Sequence, residues 1–247
     1  MLATGSPGEL GLLKALATEF AGRTPATLQW VKAGSGAGLD YLKNRAVDAV
    51  MVHAPAGERA AVEQGWAVKR TLIGSNEFYI VGPEADPANV AAATSAADAY
   101  RRIAAAKAPF VSRGDNSGTH RKEMSIWKDA GTTPSGPWYV VTGDFMTASL
   151  RKADAIGGYF MLDSSTWLVN RKGLPKLTVL YRGDKRLVNT YHALVAPEGA
   201  TPGRDVAARF VDFVASDDGQ QIIREYGRDA YGEPLYQDAA CAESYVD

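Results

Sequence analysis

Short apolar runs alternate with segments of helical spacing along nearly the whole chain. A buried strand gives a continuous apolar run, whereas a surface helix gives apolar residues three and four positions apart. The alternation therefore predicts an α/β fold. The runs that predict strands comprise residues 27–31, 49–52, 77–81, 110–111, 138–141, 158–161 and 177–180.

Helical spacing predicts the elements between these strands. The predicted helices span residues 8–20, 37–43, 88–106 and 204–226. Ser6, Pro7 and Glu9 precede or open the first of them in the pattern of a capping box, in which the serine is the N-cap and the proline takes the first helical position. Ser6 therefore has a structural role available to it.

The segment 110–120 concentrates the groups that bind a small oxyanion. Arg113 offers a permanent positive charge and fixed N–H donors. Hydroxyl groups lie on both sides of it, and glycines let backbone amides approach a ligand closely. A helix predicted from residue 121 would direct its N-terminal amides at this segment. The candidate anion contacts are Arg113, Ser117, Gly118 and Thr119, with Ser112 as a further hydroxyl.

Other polar residues near this segment have less direct roles. Asp115 would repel an anion that it faced, so we expect it to orient Arg113 or to cap a backbone turn. His120 can donate to the anion or cap the helix, and we favour structural support. Further along the chain, Thr147 and Ser149 are possible additional donors.

Composition and charge exclude several classes of protein. The 247 residues carry a formal net charge of −1, so the chain has no general basic field for nucleic acid. No apolar run reaches about 18 residues, the length that a membrane-spanning helix needs. No basic and apolar leader opens the chain. The single cysteine, Cys241, cannot form an internal disulfide and is interpreted as a free thiol.

The sequence also lacks motifs for catalysis. Ser117 does not lie in a G-x-S-x-G elbow, and no cluster of His, Cys or Asp has the spacing of metal ligands. We therefore expect neither an enzyme nor a bound cofactor. The ligand-sensing domain of a transcriptional regulator is an alternative, but it would need a DNA-reading module, and neither end of the chain has one.

The run FVSRGDNSGTHRKE, residues 110–123, resembles the signature of the periplasmic tungstate-binding proteins of ABC transporters. Further stretches that match this family are residues 47–55 with Glu58, 76–83 with Asp86-Pro87, 138–139 with 162–163, and 183–191. The resemblance implies a monomeric receptor that binds tungstate, with molybdate as a second candidate, and delivers it to a membrane permease. It implies a periplasmic location and a removed export signal. A receptor for sulfate or phosphate is an alternative.

The resemblance further implies a two-lobed periplasmic binding protein type II fold with a two-strand hinge. Residues 1–81 and 192–247 would form lobe I, residues 82–191 would form lobe II, and the oxyanion site would occupy the cleft between them. Apolar runs over residues 78–82 and 190–195 are the natural crossing strands.

Two loops of the expected lobe I also match the family. Residues 3–8 resemble its T-T-S start, which makes Thr4 and Ser6 candidate ligands, although Gly5 stands where the family more often has threonine. The turn at residues 33–38 resembles its G-T-G turn, with Ser35 in place of threonine. The stretch 162–166 departs from the family pattern L-T-D-R-G-T-Y, because serines replace Arg-Gly and the arginine is lost.

Overall fold

The computed structural model describes residues 1–245 and divides the chain into two compact units. Unit 1 comprises Met1–Asn76 and Thr190–Asp247, and unit 2 comprises Glu77–Asn189. Unit 1 is therefore interrupted in sequence by unit 2. Both boundaries lie a few residues earlier in the chain than the predicted breaks after residues 81 and 191. Each falls inside a strand, β4 (Val68–Pro83) or β9 (Val188–Val195).

Unit 1 contains strands β1 (Leu2–Thr4), β2 (Trp30–Lys32) and β3 (Ala49–Val52) together with part of β9. β1 lies between β2 and β3 and pairs with both in parallel, and β3 pairs with β9 antiparallel. Because β1, β2 and β3 are parallel, their carboxyl ends meet at one edge of the sheet. The helices of this unit are α1 (Ser6–Glu9), α2 (Leu12–Arg23), α3 (Ser35–Lys43), α4 (Pro55–Glu63), α9 (Arg204–Ala215), α10 (Asp217–Glu225), α11 (Arg228–Tyr231) and α12 (Ala239–Ala242).

Unit 2 contains β5 (Phe110–Ser112), β6 (Tyr139–Val141), β7 (Tyr159–Asp163) and β8 (Leu177–Tyr181). β4 pairs antiparallel with β7 and β8, whereas β5 pairs in parallel with β6 and β7. The helices are α5 (Ala96–Ala106), α6 (Gly118–Asp129), α7 (Met146–Ile156) and α8 (Ser164–Asn170).

The two units have different cores. One cluster of unit 1 is aliphatic, with Leu39, Leu42 and Val50 among its members, and Phe20 packs on Phe210 elsewhere in the same unit. The unit 2 cluster is rich in aromatic residues, and Phe110 on β5 contacts Trp127 on α6 with ring centroids 5.2 Å apart. This contact fixes α6 against β5 and so determines where the loop between them lies.

Three helix predictions were wrong in their extent, and in each case a local backbone feature divides the element. Gly11, with φ of +90°, separates α1 from α2 within residues 8–20. The span 88–106 is a short 3₁₀ turn at Val90–Ala92 followed by α5, because Ser95 is an extended N-cap that accepts a hydrogen bond from the Asp98 amide. Ser216 caps α10 in the same way and ends α9 within residues 204–226.

The predicted capping box at Ser6 is also wrong. α1 begins at Ser6 itself, Gly5 occupies the N-cap, and no side chain caps the helix. Among the described residues, no helix combines the length and the hydropathy that a membrane crossing requires.

Candidate oxyanion-binding site

Arg113 directly follows β5 and is 4% exposed. Its Nε donates to the Asp144 carbonyl at 3.3 Å, its Nη2 donates to the Asp115 carboxylate, and the guanidinium lies 5.4 Å from the centre of the Phe145 ring. Its Nη1 has no hydrogen-bond partner in residues 1–245. The guanidinium is therefore held through Nε and Nη2, and Nη1 can donate to a ligand.

Asp115 orients this guanidinium, which is one of the two roles expected from the sequence. One carboxylate oxygen accepts from Arg113, and the other accepts from the Ser117 amide at 3.1 Å. Burial alone would raise the pKa of Asp115, but Arg113 and the hydrogen bonds from Ser117 outweigh it, and the pKa lies below its ordinary value. Asp115 therefore stays charged near neutral pH and balances the charge of Arg113.

The loop between β5 and α6 has a defined turn. Gly114 adopts φ of +63°, a left-handed conformation that costs glycine little. A Cβ atom at this position would also meet the Val141 side chain at 2.2 Å. The turn therefore requires glycine to bring Arg113 back beside the start of α6.

Ser117, Gly118 and Thr119 form the N-terminus of α6. Ser117 is the N-cap, and its hydroxyl oxygen accepts from the His120 amide at 3.3 Å. Gly118 and Thr119 lie in the first turn, where helix amides have no intrahelical acceptor. The Thr119 hydroxyl is buried, and no described residue is within hydrogen-bonding distance of it. A buried hydroxyl without a partner costs free energy, so this group is a ready donor for a ligand.

His120 supports the loop. Its Nδ1 accepts from the Asn116 amide at 3.0 Å, so the ring proton lies on Nε2 when the residue is neutral. Burial lowers the pKa of His120, and the neighbouring arginines lower it further against the opposing effect of Asp115. His120 thus has a structural contact, and whether it also donates to an anion stays a prediction.

Thr147 and Ser149 lie in the first turns of α7. The Ser149 hydroxyl is 2.8 Å from the Thr142 hydroxyl and donates to the Asp144 carbonyl at 3.3 Å, so it fixes the loop that contacts Arg113. Thr147 is half-buried at the start of the helix. Its role as a ligand stays a prediction.

Glu123 was quoted in the sequence only as the end of a motif, and the structure gives it a larger role. It is 2% exposed on α6, where its carboxylate accepts from the Tyr139 hydroxyl at 2.7 Å and from the Trp127 indole at 3.3 Å. Burial raises the pKa of Glu123 to about 7, although these donors oppose the shift. The sequence signal was its spacing: Thr119, Glu123 and Trp127 recur every four residues on one helix face.

The unit 1 candidates lie at the carboxyl edge of the parallel strands. The Thr4 hydroxyl donates to the Met51 carbonyl at 2.8 Å, so in this conformation it has no hydrogen to give to an anion. The Ser35 hydroxyl accepts from the His53 amide at 3.1 Å and keeps its own hydrogen. Ser6 is half-buried as the first residue of α1. Whether these three residues contact a ligand stays a prediction.

The described part of the chain contains no group of three or more His, Cys, Asp or Glu side chains arranged to hold a metal cation. The expectation that the protein works without a cofactor stays a prediction.

Comparisons with known proteins find relatives that match nearly the whole chain. The model of the PBP superfamily domain matches residues 1–218. An ABC transporter anion-binding protein of Haloferax volcanii is 35% identical over 98% of this chain and 72% of its own length. The tungstate-binding protein TupA of Peptoclostridium acidaminophilum is 33% identical over 94% of this chain and 82% of its own. The solved structure of the tungstate-binding protein TupA of Desulfovibrio alaskensis G20 is 38% identical, with 96% of this chain and 97% of that chain covered and a TM-score of 0.77.

Proposed function

We propose that this chain, which belongs to the TupA-like substrate-binding proteins of the PBP superfamily, is a receptor that binds tungstate. The observation that carries the proposal is that two buried residues, Arg113 and Thr119, each keep a donor that the protein leaves unused. These are Nη1 of Arg113 and the hydroxyl of Thr119, at the N-terminus of the 12-residue helix α6.

The charge balance of the loop suits an oxyanion that enters and leaves. Arg113 is paired with Asp115, so burying the arginine does not leave an unpaired charge. The remaining donors are hydroxyls and helix amides, which are neutral and distribute the charge of a bound anion. One cation with many neutral donors can therefore hold a dianion and release it.

Phosphate fits this loop less well than tungstate does. Hydrogen phosphate carries a proton and needs an acceptor, whereas tungstate is fully deprotonated near neutral pH and needs only donors. Both oxygens of Asp115 are already engaged, by Arg113 and by the Ser117 amide. Asp115 is therefore poorly placed to accept a proton from a ligand.

We extend the proposal to transport. The protein would deliver tungstate, or molybdate as a second ligand, to a membrane permease of an ABC transporter, and it would act outside the cytoplasm as a monomer without catalysis. The resemblance to an ABC transporter anion-binding protein supports the transport role. The sensing domain of a regulator and receptors for sulfate or phosphate are not favoured, because several relatives more than 30% identical to this chain are named for tungstate.

Titration calorimetry of the ligand-free protein with tungstate tests the proposal, with molybdate, sulfate and phosphate as competitors. We expect one tungstate per chain, competition by molybdate and no displacement by phosphate. Displacement of tungstate by equimolar sulfate or phosphate would contradict the assigned ligand. An absence of tungstate binding in protein that is folded by circular dichroism would contradict the function.

A further inference from the structure

The packing of β5 on α6 places a buried carboxyl group behind the candidate anion contacts. Phe110 and Ser112 lie on one face of β5, and Phe110 packs on Trp127 of α6. One helical turn before Trp127 is Glu123, and one turn before that is Thr119. Side chains on a helix point toward its N-terminus, so the Glu123 carboxyl lies on the side of its turn that faces Thr119.

The groups around the Glu123 carboxyl are neutral or negative. Tyr139 from β6 and Trp127 from α6 donate to it. Burial raises the pKa of Tyr100 from α5, and the nearby carboxyl raises it further. Ser112 from β5 reaches no hydrogen-bond partner, although it is near enough to favour the charged carboxylate.

No positively charged side chain among the described residues balances a negative charge on Glu123. Asp115 is the nearby charged group, and its like charge raises the pKa of Glu123 further. No cationic side chain of residues 1–245 lies within ion-pair distance of the Glu123 carboxyl. A negative charge on Glu123 is therefore opposed by burial and by Asp115, and it has only neutral donors to stabilise it.

We propose that Glu123 couples anion binding to proton uptake: a dianion held by Arg113 and Thr119 drives the carboxyl behind them into its neutral form. This inference rests on the proposed function. One proton passes from the solvent to a carboxylate oxygen of Glu123, and no bond to the ligand forms or breaks. The dianion brings two negative charges and the proton brings one positive charge, so the site gains one net negative charge.

The direction of the pH dependence follows from linkage. The pKa of Glu123 is about 7 without a ligand, and a bound dianion raises it further because like charges repel. Below pH 7 the group is already largely protonated and affinity is nearly constant. Above pH 7 binding must recruit the proton, so affinity falls by up to about tenfold per pH unit until the pKa of the bound form is reached. His120 does not share this window, because its pKa is lowered from its ordinary value.

The test is calorimetric titration with sodium tungstate at about pH 8, in two buffers that differ in ionisation enthalpy. The difference in heat gives the protons bound per tungstate. We expect the wild type to take up a substantial fraction of one proton and Glu123→Gln to take up none. Glu123→Gln keeps an oxygen to accept from Tyr139, so its affinity at pH 8 should equal or exceed that of the wild type.

Tyr139→Phe provides a second, independent variant. It removes a donor that favours the charged carboxylate, so the pH at which affinity begins to fall should rise. An unchanged pH profile in Tyr139→Phe would contradict the inference even if Glu123→Gln failed to fold.

The outcomes separate this inference from the proposed function. Tungstate binding without proton uptake in the wild type would overturn the role of Glu123 and leave the receptor intact. Equal proton uptake by the wild type and Glu123→Gln would assign the coupling to another group. A folded protein that does not bind tungstate would overturn both.

Discussion

A buried threonine in each unit shows how the two units differ in hydrogen bonding. Thr4 in unit 1 and Thr119 in unit 2 are each 1% exposed. Thr4 donates its hydroxyl hydrogen to the Met51 carbonyl, whereas Thr119 has no partner among the described residues. The two hydroxyls are therefore equally buried, but only that of Thr4 has a hydrogen-bond partner.

The buried glutamates show the same difference. Glu58 in unit 1 is completely buried and accepts from the Ala54 amide at 2.7 Å and from Arg70 at 3.0 Å, and His192 lies 3.0 Å away. Glu123 in unit 2 has only uncharged donors.

The two comparisons indicate in which unit a bound anion would supply missing hydrogen-bond partners. Thr4 and Glu58 of unit 1 have their partners within the protein. Unit 2 leaves a hydroxyl and one edge of an arginine without partners, so a bound anion removes an existing cost there. We therefore expect the larger share of the binding free energy to come from unit 2, and the following variants test this expectation.

Arg113→Ala should have the largest effect. It removes a charge-assisted contact from a desolvated site, so the free energy of binding should weaken by at least about 2 kcal/mol, or about 30-fold in affinity. Calorimetry with tungstate measures the loss. Arg101→Ala is the charge-matched control, because that side chain is half exposed on α5 and pairs with Asp98. Equal tungstate affinity in the two variants would show that Arg113 does not contact the ligand.

Thr119→Val should come second. Valine keeps the shape of the side chain and removes the hydroxyl, so we expect about tenfold weaker tungstate binding. The thermal stability of the ligand-free protein should be unchanged or higher, since the hydroxyl has no partner to lose. A destabilised variant with normal affinity would show that the hydroxyl serves the fold instead.

Thr4→Val is the matched substitution in unit 1 and should have the reverse effect. It leaves the Met51 carbonyl without its donor, so the free energy of unfolding should fall by about 1 kcal/mol. Tungstate affinity should change less than in Thr119→Val. Chemical denaturation and calorimetry on both variants compare the two threonines directly, and a larger affinity loss in Thr4→Val would reverse the assignment of the units.

Ser35→Ala should weaken binding less than Arg113→Ala or Thr119→Val does. Its hydroxyl keeps a hydrogen to donate, but its oxygen is held by the His53 amide, so we expect about a threefold loss of affinity. Unchanged tungstate affinity would show that the Ser35 hydroxyl does not contact the anion.

Much of the fold could be predicted from the sequence, because it depends on local patterns. The apolar runs located the α/β elements, and the Arg113 loop was read from its residue types alone. The breaks at Gly11, Ser95 and Ser216 were missed, since the apolar spacing continues across them while the backbone turns.

The parts of the site that depend on tertiary contacts could not be read from the sequence. Thr4 and Thr119 look alike as hydroxyl residues next to glycine, and only the fold places a carbonyl within reach of one of them. The raised pKa of Glu123 likewise comes from aromatic residues on α5, α6 and β6 that exclude water from the carboxyl.

The most direct test of the central claim is a crystal structure of the tungstate complex, with the metal located by its anomalous scattering. Our account predicts one tungsten peak at the N-terminus of α6, with oxyanion oxygens within hydrogen-bonding distance of Arg113 Nη1 and the Thr119 hydroxyl. A peak whose oxyanion contacts neither of these groups would contradict it.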